Sequence, residues 1–139
     1  MKSTLQPGLT YQFRFTVPPT KTVPQLYPES ALFQEMPDVL ATGYLVGLME
    51  WACIEAIKPH LDWPREQSLG THVSLSHLAA TPPGLTITVD VRLDRVEGRK
   101  LSFTLSAHDG VEKISEGTHE RHLIDVERFN EKVAKKTTK

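Results

Sequence analysis

Three residues have the side chains and the surroundings to do chemistry. Glu50 is the only carboxylate in the run from Val39 to Ile54, which is otherwise almost wholly apolar. A carboxylate placed there needs a hydrogen-bond partner, a raised pKa or a function that offsets the cost of burial. His77 follows Val73 and Leu75 at the two-residue spacing of one strand face, with Ala79 next in the series, so its imidazole also needs a partner. An inward carboxylate and an inward imidazole are the usual parts of general acid–base catalysis. Each also has a structural reading: a glutamate at the edge of its helix, and a satisfied core histidine. Thr42 is the third candidate, and a helix cap is its structural alternative. Thr42 and Glu50 are separated by about 12 Å along a straight helix. Within one subunit they meet only if the helix starts after Thr42 and the chain folds back; otherwise a partner subunit supplies one of them.

No diagnostic metal motif, GxSxG elbow or phosphate loop accompanies these residues. Cys53, the only cysteine, sits in an apolar run and reads as buried packing, so neither an internal disulfide nor a cysteine-based zinc site is expected. Sixteen Lys and Arg against seventeen Asp and Glu, a net charge of −1, leave no footprint for nucleic acid or an anionic membrane. The tail from Asp125 leans basic through Arg128, Lys132, Lys135, Lys136 and Lys139, and reads as a frayed, solvated helix. Neither a signal peptide nor a stretch approaching the roughly 20 apolar residues of a membrane span is evident, and a cytoplasmic location is expected.

The elements that must position the three residues follow from periodicity. At 139 residues, 39% of them hydrophobic, the chain fits a single domain over 1–139. Tyr11, Phe13, Phe15 and Val17 alternate with polar residues as a half-buried strand that Pro18 and Pro19 end. Lys21 to Pro37 reads as an irregular connection long enough to cover a site. Asp38 to Glu55 and onward to Lys58 reads as one helix buried on most sides, in which Gly43 and Gly47 imply tight packing against a sheet. A polar loop around Trp63 to Ser68 precedes a strand whose odd-numbered residues, Val73 to Ala79, face the core. Leu85 to Leu93 and Leu101 to Ala107 alternate with period two, turning at Glu97-Gly98-Arg99, and Asp109-Gly110 is a hairpin signal into Val111 to Ile124. A short amphipathic helix runs from Val126 to about Lys135. Consecutive hairpins give an antiparallel sheet, and the long apolar helix is the only element able to cover its apolar face. The fold class is therefore α+β, with a curved sheet wrapped around one central helix in the hotdog arrangement.

The residues also carry a resemblance. Val-Pro-Pro at 17 to 19, Leu-Tyr-Pro-Glu-Ser at 26 to 30, Ala-Thr-Gly at 41 to 43, Val-Gly-Leu-Met-Glu-Trp-Ala-Cys at 46 to 53, Ala-Ala-Thr-Pro-Pro-Gly-Leu-Thr at 79 to 86, Ser-Ala-His-Asp-Gly at 106 to 110 and Gly-Thr-His-Glu-Arg at 117 to 121 look like the bacterial fluoroacetyl-CoA thioesterases. The resemblance spans nearly the whole chain. It implies a homodimeric hotdog thioesterase with a Thr, Glu and His catalytic set, matched by Thr42, Glu50 and His77. It further implies that Gly70 places its backbone beside the thioester and that Arg121 lies in the substrate-binding region, where His119 and Glu120 simply form the strand. Phe33 matches an aromatic lining of the acyl pocket. Met36 stands where the family has a second phenylalanine, and a flexible methionine fills space without fixing a shape.

The expected function is hydrolysis of a short-chain acyl-CoA, fluoroacetyl-CoA among the candidates, to a carboxylic acid and free CoA. No cofactor and no metal is implied, since coenzyme A belongs to the substrate. Two rivals share the fold: an enoyl-CoA hydratase or dehydratase, and a non-catalytic acyl-CoA binding module.

Overall fold

A computed structural model describes residues 1–137, so Lys139, the last cation of the basic tail, lies outside the described residues. The period-two segments form strands β1 (Thr10–Thr16), β2 (Glu66–Leu75), β3 (Thr86–Glu97), β4 (Lys100–His108) and β5 (Lys113–Asp125). They build one antiparallel sheet in the order β1-β3-β4-β5-β2. Helices α1 (Val23–Leu26) and α2 (Ala31–Gln34) precede the long α3 (Thr42–Ile57), and α4 (Val126–Ala134) follows β5. This is the α+β arrangement expected from the element order.

The core sits between the sheet and α3. Ile87, Val89, Val91 and Leu93 of β3 and Leu101, Phe103, Leu105 and Ala107 of β4 are all buried, and in register Val91 opposes Leu105 and Leu93 opposes Phe103. Opposed residues in antiparallel strands share a face, so these side chains meet Leu45, Leu48, Met49, Ala52 and Cys53 of α3 in one cluster. Each large apolar side chain hidden this way contributes about 1.5–3 kcal/mol. Cys53 is fully buried, and desolvation pushes its thiol up to about 12, so it packs and does not react.

Several expectations are corrected. Helix α3 begins at Thr42, because Val39 and Leu40 spend their backbone on other segments: Val23 N–H donates to Val39 O at 2.9 Å and Leu40 N–H to Thr81 O at 2.8 Å. Ala41 is the cap residue, and Thr42 is the first helical residue rather than the cap. Gly43 meets Leu26 of α1, whose Cδ2 would lie 3.0 Å from an added Cβ, and Gly47 faces open space. Neither glycine packs against the sheet. The connection from Lys21 to Pro37 contains α1 and α2, with the Tyr27 and Phe33 rings 5.2 Å apart in a tilted pair. Strand β2 starts at Glu66, inside the expected loop, and ends at Leu75, so His77 lies beyond it. The backbone pairing continues past the strand, with Ser76 N–H donating to Glu116 O and Leu78 N–H to Ile114 O.

Candidate active site

Two polar pairs sit on α3; the segment just beyond β2 supplies one half of the first and β5 one half of the second. At the helix start, Thr42 Oγ1 lies 2.8 Å from His77 Nδ1. The β2–β5 pairing that persists through Ser76 and Leu78 is what holds His77 there. Its Nε2 is buried and has no hydrogen-bond partner among the described residues. Desolvation lowers the pKa of His77, partly offset by the backbone of Ala79. A neutral imidazole touching a hydroxyl can accept or pass on a proton, which an imidazolium cannot do as a base.

Farther along α3, Glu50 Oε2 accepts a hydrogen bond from Arg121 Nη1 at 3.0 Å. Arg121 is on the inner face of β5 and is fully buried, whereas Glu50 keeps 39% of its side chain exposed. The desolvated carboxylate expected from the apolar run is thus half-exposed, and the buried member of the pair is the cation. Arg121 is satisfied on other sides: Nε donates to Ser68 Oγ at 2.7 Å, Nη2 to Ser68 O at 2.8 Å, and Nη1 also to His119 Nε2 at 3.0 Å. A buried guanidinium is tolerable only with this degree of pairing.

Strand β2 explains how Gly70 enters the same site. Its register shifts between Gly70 and His72, where the chain carries a bulge. Gly70 opposes Arg121 in the ladder and faces inward. An added Cβ would stand 2.8 Å from Glu50 Oε2 and 3.1 Å from His119 Cε1. Glycine therefore lets the Glu50 carboxylate and the His119 ring pack directly against the backbone of β2.

Of the residues predicted from sequence, Thr42 joins His77, and Glu50 joins Arg121 and Gly70. Phe33 packs on Tyr27, and Met36 is 51% exposed, on a segment whose Tyr27 and Leu32 are exposed as well. Two members of the Glu50 cluster escaped the sequence reading. Ser68 was assigned to a loop, and His119 to plain strand. The available signal was the period-two series Gly117, His119, Arg121 and Leu123, which puts three unusual residues on the core face of β5. Among the described residues, no group of three or more His, Cys, Asp or Glu is arranged to hold a metal ion.

The chemistry available is a carboxylate anchored through one oxygen, a neutral histidine bound to a hydroxyl, and a side-chain-free backbone position against the carboxylate. Comparison with known proteins agrees in kind. The family model described as fluoroacetyl-CoA-specific thioesterase matches residues 19–127. A fluoroacetyl-CoA thioesterase of Streptantibioticus cattleyicolor is 56% identical over 137 residues, 99% of this chain and 98% of that protein. The crystal structure of a phenylalanine-to-alanine variant of the fluoroacetyl-CoA-specific thioesterase, in complex with fluoroacetate and CoA, is 56% identical. It superposes with a TM-score of 0.87 over 90% of this chain and 99% of that one. A Thermus thermophilus member of the thioesterase superfamily is 26% identical, with a TM-score of 0.82 over 96% of each chain.

Proposed function

The chain belongs to the fluoroacetyl-CoA-specific thioesterase family and is a hotdog-fold acyl-CoA thioesterase, and from that premise we propose that Glu50, His77 and Thr42 carry the hydrolysis of a short-chain acyl-CoA. Water and the thioester R–CO–S–CoA give a carboxylic acid and free CoA. Glu50, either as nucleophile on the carbonyl carbon or as base toward water, breaks the C–S bond through a tetrahedral intermediate. His77 moves protons, including the one that the leaving thiolate takes up, and on acyl groups with an acidic α-hydrogen it reaches the α-carbon. The Thr42 hydroxyl and the backbone N–H groups near Gly70 or the start of α3 stabilise the oxyanion. The reaction draws on these side chains and water, with coenzyme A entering as part of the substrate and no further cofactor or metal.

The observation that carries this reading is the close approach of an anchored Glu50 carboxylate to the backbone at Gly70. Phe33 and Met36 belong to the flap over the acyl group, and the flexible Met36 favours a broader short-acyl range over strict fluoroacetyl selectivity.

The working unit is a homodimer. Strand β2 is a sheet edge whose Leu69 and Val73 are 39% and 43% exposed, and such an edge is completed by a second copy. The two polar pairs lie about 12 Å apart along α3, too far for one small acyl group to touch both within a protomer. The dimer brings Thr42 and His77 of one protomer and Glu50 of the other to one thioester. Among the described residues no helix is long and apolar enough to cross a membrane, and we place the enzyme in the cytoplasm with neither nucleic acid nor membrane as partner.

Thiol release from fluoroacetyl-CoA, acetyl-CoA and longer acyl-CoAs at equal concentration tests the reading. Turnover of several short esters is expected. A large preference for the fluorinated ester would show that Met36 closes the pocket as well as an aromatic does, and thiol release from none of them would make the protein a binding module.

A further inference from the structure

His119 is buried to 2% exposure in the middle of β5, and the sequence gives it no role beyond strand formation. Its ring is nevertheless tied at both nitrogens. Nη1 of Arg121, a group that can only donate, lies 3.0 Å from His119 Nε2. Nε2 must therefore accept, and the ring proton must sit on Nδ1. There it meets an acceptor, His72 O, at 2.8 Å. The two contacts agree on one tautomer, and acceptance at Nε2 requires an uncharged ring.

We propose that His119 is a positioning residue for the hydrolysis: with Nδ1–H tied to His72 O, its Nε2 fixes Arg121 so that Nη1 holds Glu50 Oε2 against Gly70. This rests on the thioesterase reading and adds to it the device that aims the carboxylate. Nη1 is the shared atom, since it donates to His119 and to Glu50 at once. Ser68 holds the Nε and Nη2 side of the guanidinium, so without His119 the Nη1 side is steered by the half-exposed Glu50 alone. The link to His72 has a second effect, because His72 closes the bulge that follows Gly70. One ring thus joins the strand bearing Gly70 to the cation that holds the carboxylate.

The groups facing His119 are Arg121 on its own strand, Glu50 from α3, His72 from β2 and the Phe103 ring of β4, stacked at 6.4 Å. Protonation would point a second donor at the guanidinium and release Nη1 from its fixed place. Burial lowers the pKa of the ring, and the Arg121 charge reinforces that effect against the His72 hydrogen bond, which raises it. The neutral, accepting form is the working one.

The test compares purified full-length wild type with His119→Leu, which has no acceptor, and His119→Gln, whose amide oxygen reaches the place of Nε2 without titrating. Thiol release gives kcat and KM across pH, and thermal melts report folding. His119→Leu is expected to lower kcat roughly tenfold, the loss of one hydrogen bond to a charged group, with KM changed less. His119→Gln should recover most of kcat and lose the part of the acidic limb of kcat/KM that belongs to His119. A His119→Leu enzyme with wild-type kcat would overturn the proposal, as would a folded His119→Gln enzyme no better than a folded His119→Leu one. Should His119→Leu fail to fold, His119→Gln and ¹⁵N spectra of the wild-type histidines decide: a neutral ring protonated on Nδ1 is expected, and a proton on Nε2 would overturn the assignment. Absence of thiol release in wild type would bring down the thioesterase reading and this proposal together, whereas wild-type release that is indifferent to His119 brings down the proposal alone.

Discussion

Arg121 and Glu50 make a 3.0 Å ion pair in which the cation is 2% exposed and the anion 39%. The asymmetry suits a working carboxylate. The guanidinium is immobilised by Ser68 and His119, and Oε1 of Glu50 makes no hydrogen bond among the described residues. The anchored oxygen is also the one that lies against Gly70, and the other is left without a hydrogen bond. A stability role alone would call for both partners to be sealed, since a pair that is half-solvated adds little to folding.

Gly70→Ala tests the close contact between that pair and the β2 backbone. The new Cβ would stand 2.8 Å from Oε2, and the flexible end of Glu50 is what must yield. The fold should survive, with the melting temperature lowered by only a few degrees, while kcat/KM falls by roughly a hundredfold, as expected when a reacting group moves by about 1 Å. Thermal melts and thiol release measure the two separately.

Gly117→Ala should do the reverse and strike the fold. A Cβ there would lie 1.9 Å from Ser74 O and 2.9 Å from Leu75 Cα, both on the backbone of β2, which cannot yield as a side-chain tip can. Strand β2 must separate from β5, with a loss of more than about 3 kcal/mol, in the range of strained core substitutions. Urea denaturation gives the figure, and a change below about 1 kcal/mol would contradict the packing described here.

The architecture was legible in the sequence wherever apolar periodicity was uninterrupted. Strands β3 and β4, α4 and the single long helix fall within a few residues of expectation. Boundaries failed where tertiary partners outcompete local pattern: Val39 and Leu40 look helical and instead bond to Val23 and Thr81. The same holds for the site. Thr42, Glu50 and His77 stood out as polar residues in apolar runs, but their partners could not be read, because Arg121 reaches Glu50 across 71 residues of chain and Ser68 lies across 53. The bulge after Gly70 was invisible for a related reason: it is set by pairing with β5 and carries no local signature.

Mixed dimers of Thr42→Ala and Glu50→Gln protomers test whether the site is shared. If each site takes Thr42 from one protomer and Glu50 from the other, a heterodimer keeps one intact site. Randomly mixed subunits should then regain roughly a quarter of wild-type activity. If both residues act within one protomer, mixing restores none.

Stability should fall on mild acidification. Burial lowers the pKa of His77, and of His119 with the help of Arg121, below the ordinary 6.5. Between the depressed folded values and 6.5 the unfolded chain binds more protons, so stability rises with pH through that window and is level above it. For Asp94 and Asp109, burial pushes upward, yet hydrogen bonds from Thr104 and Arg92 in one case, and from Glu112, Val111 and Thr81 in the other, outweigh it and hold each below 3.8. Their contribution is present above 3.8 and lost as pH falls through the lowered folded values. Urea midpoints should thus be flat from about pH 8 to 7 and decline below about 6.5; midpoints unchanged down to about pH 5 would contradict the burial of the two imidazoles.

The most direct measurement of the central claim is thiol release from a short acyl-CoA by wild type and Glu50→Gln side by side, with melts to show that both are folded. The amide keeps the shape and can still accept from Arg121, but it is neither a nucleophile nor a base. The account predicts rapid release by wild type and a loss of at least about a thousandfold in Glu50→Gln; full activity in folded Glu50→Gln would contradict it.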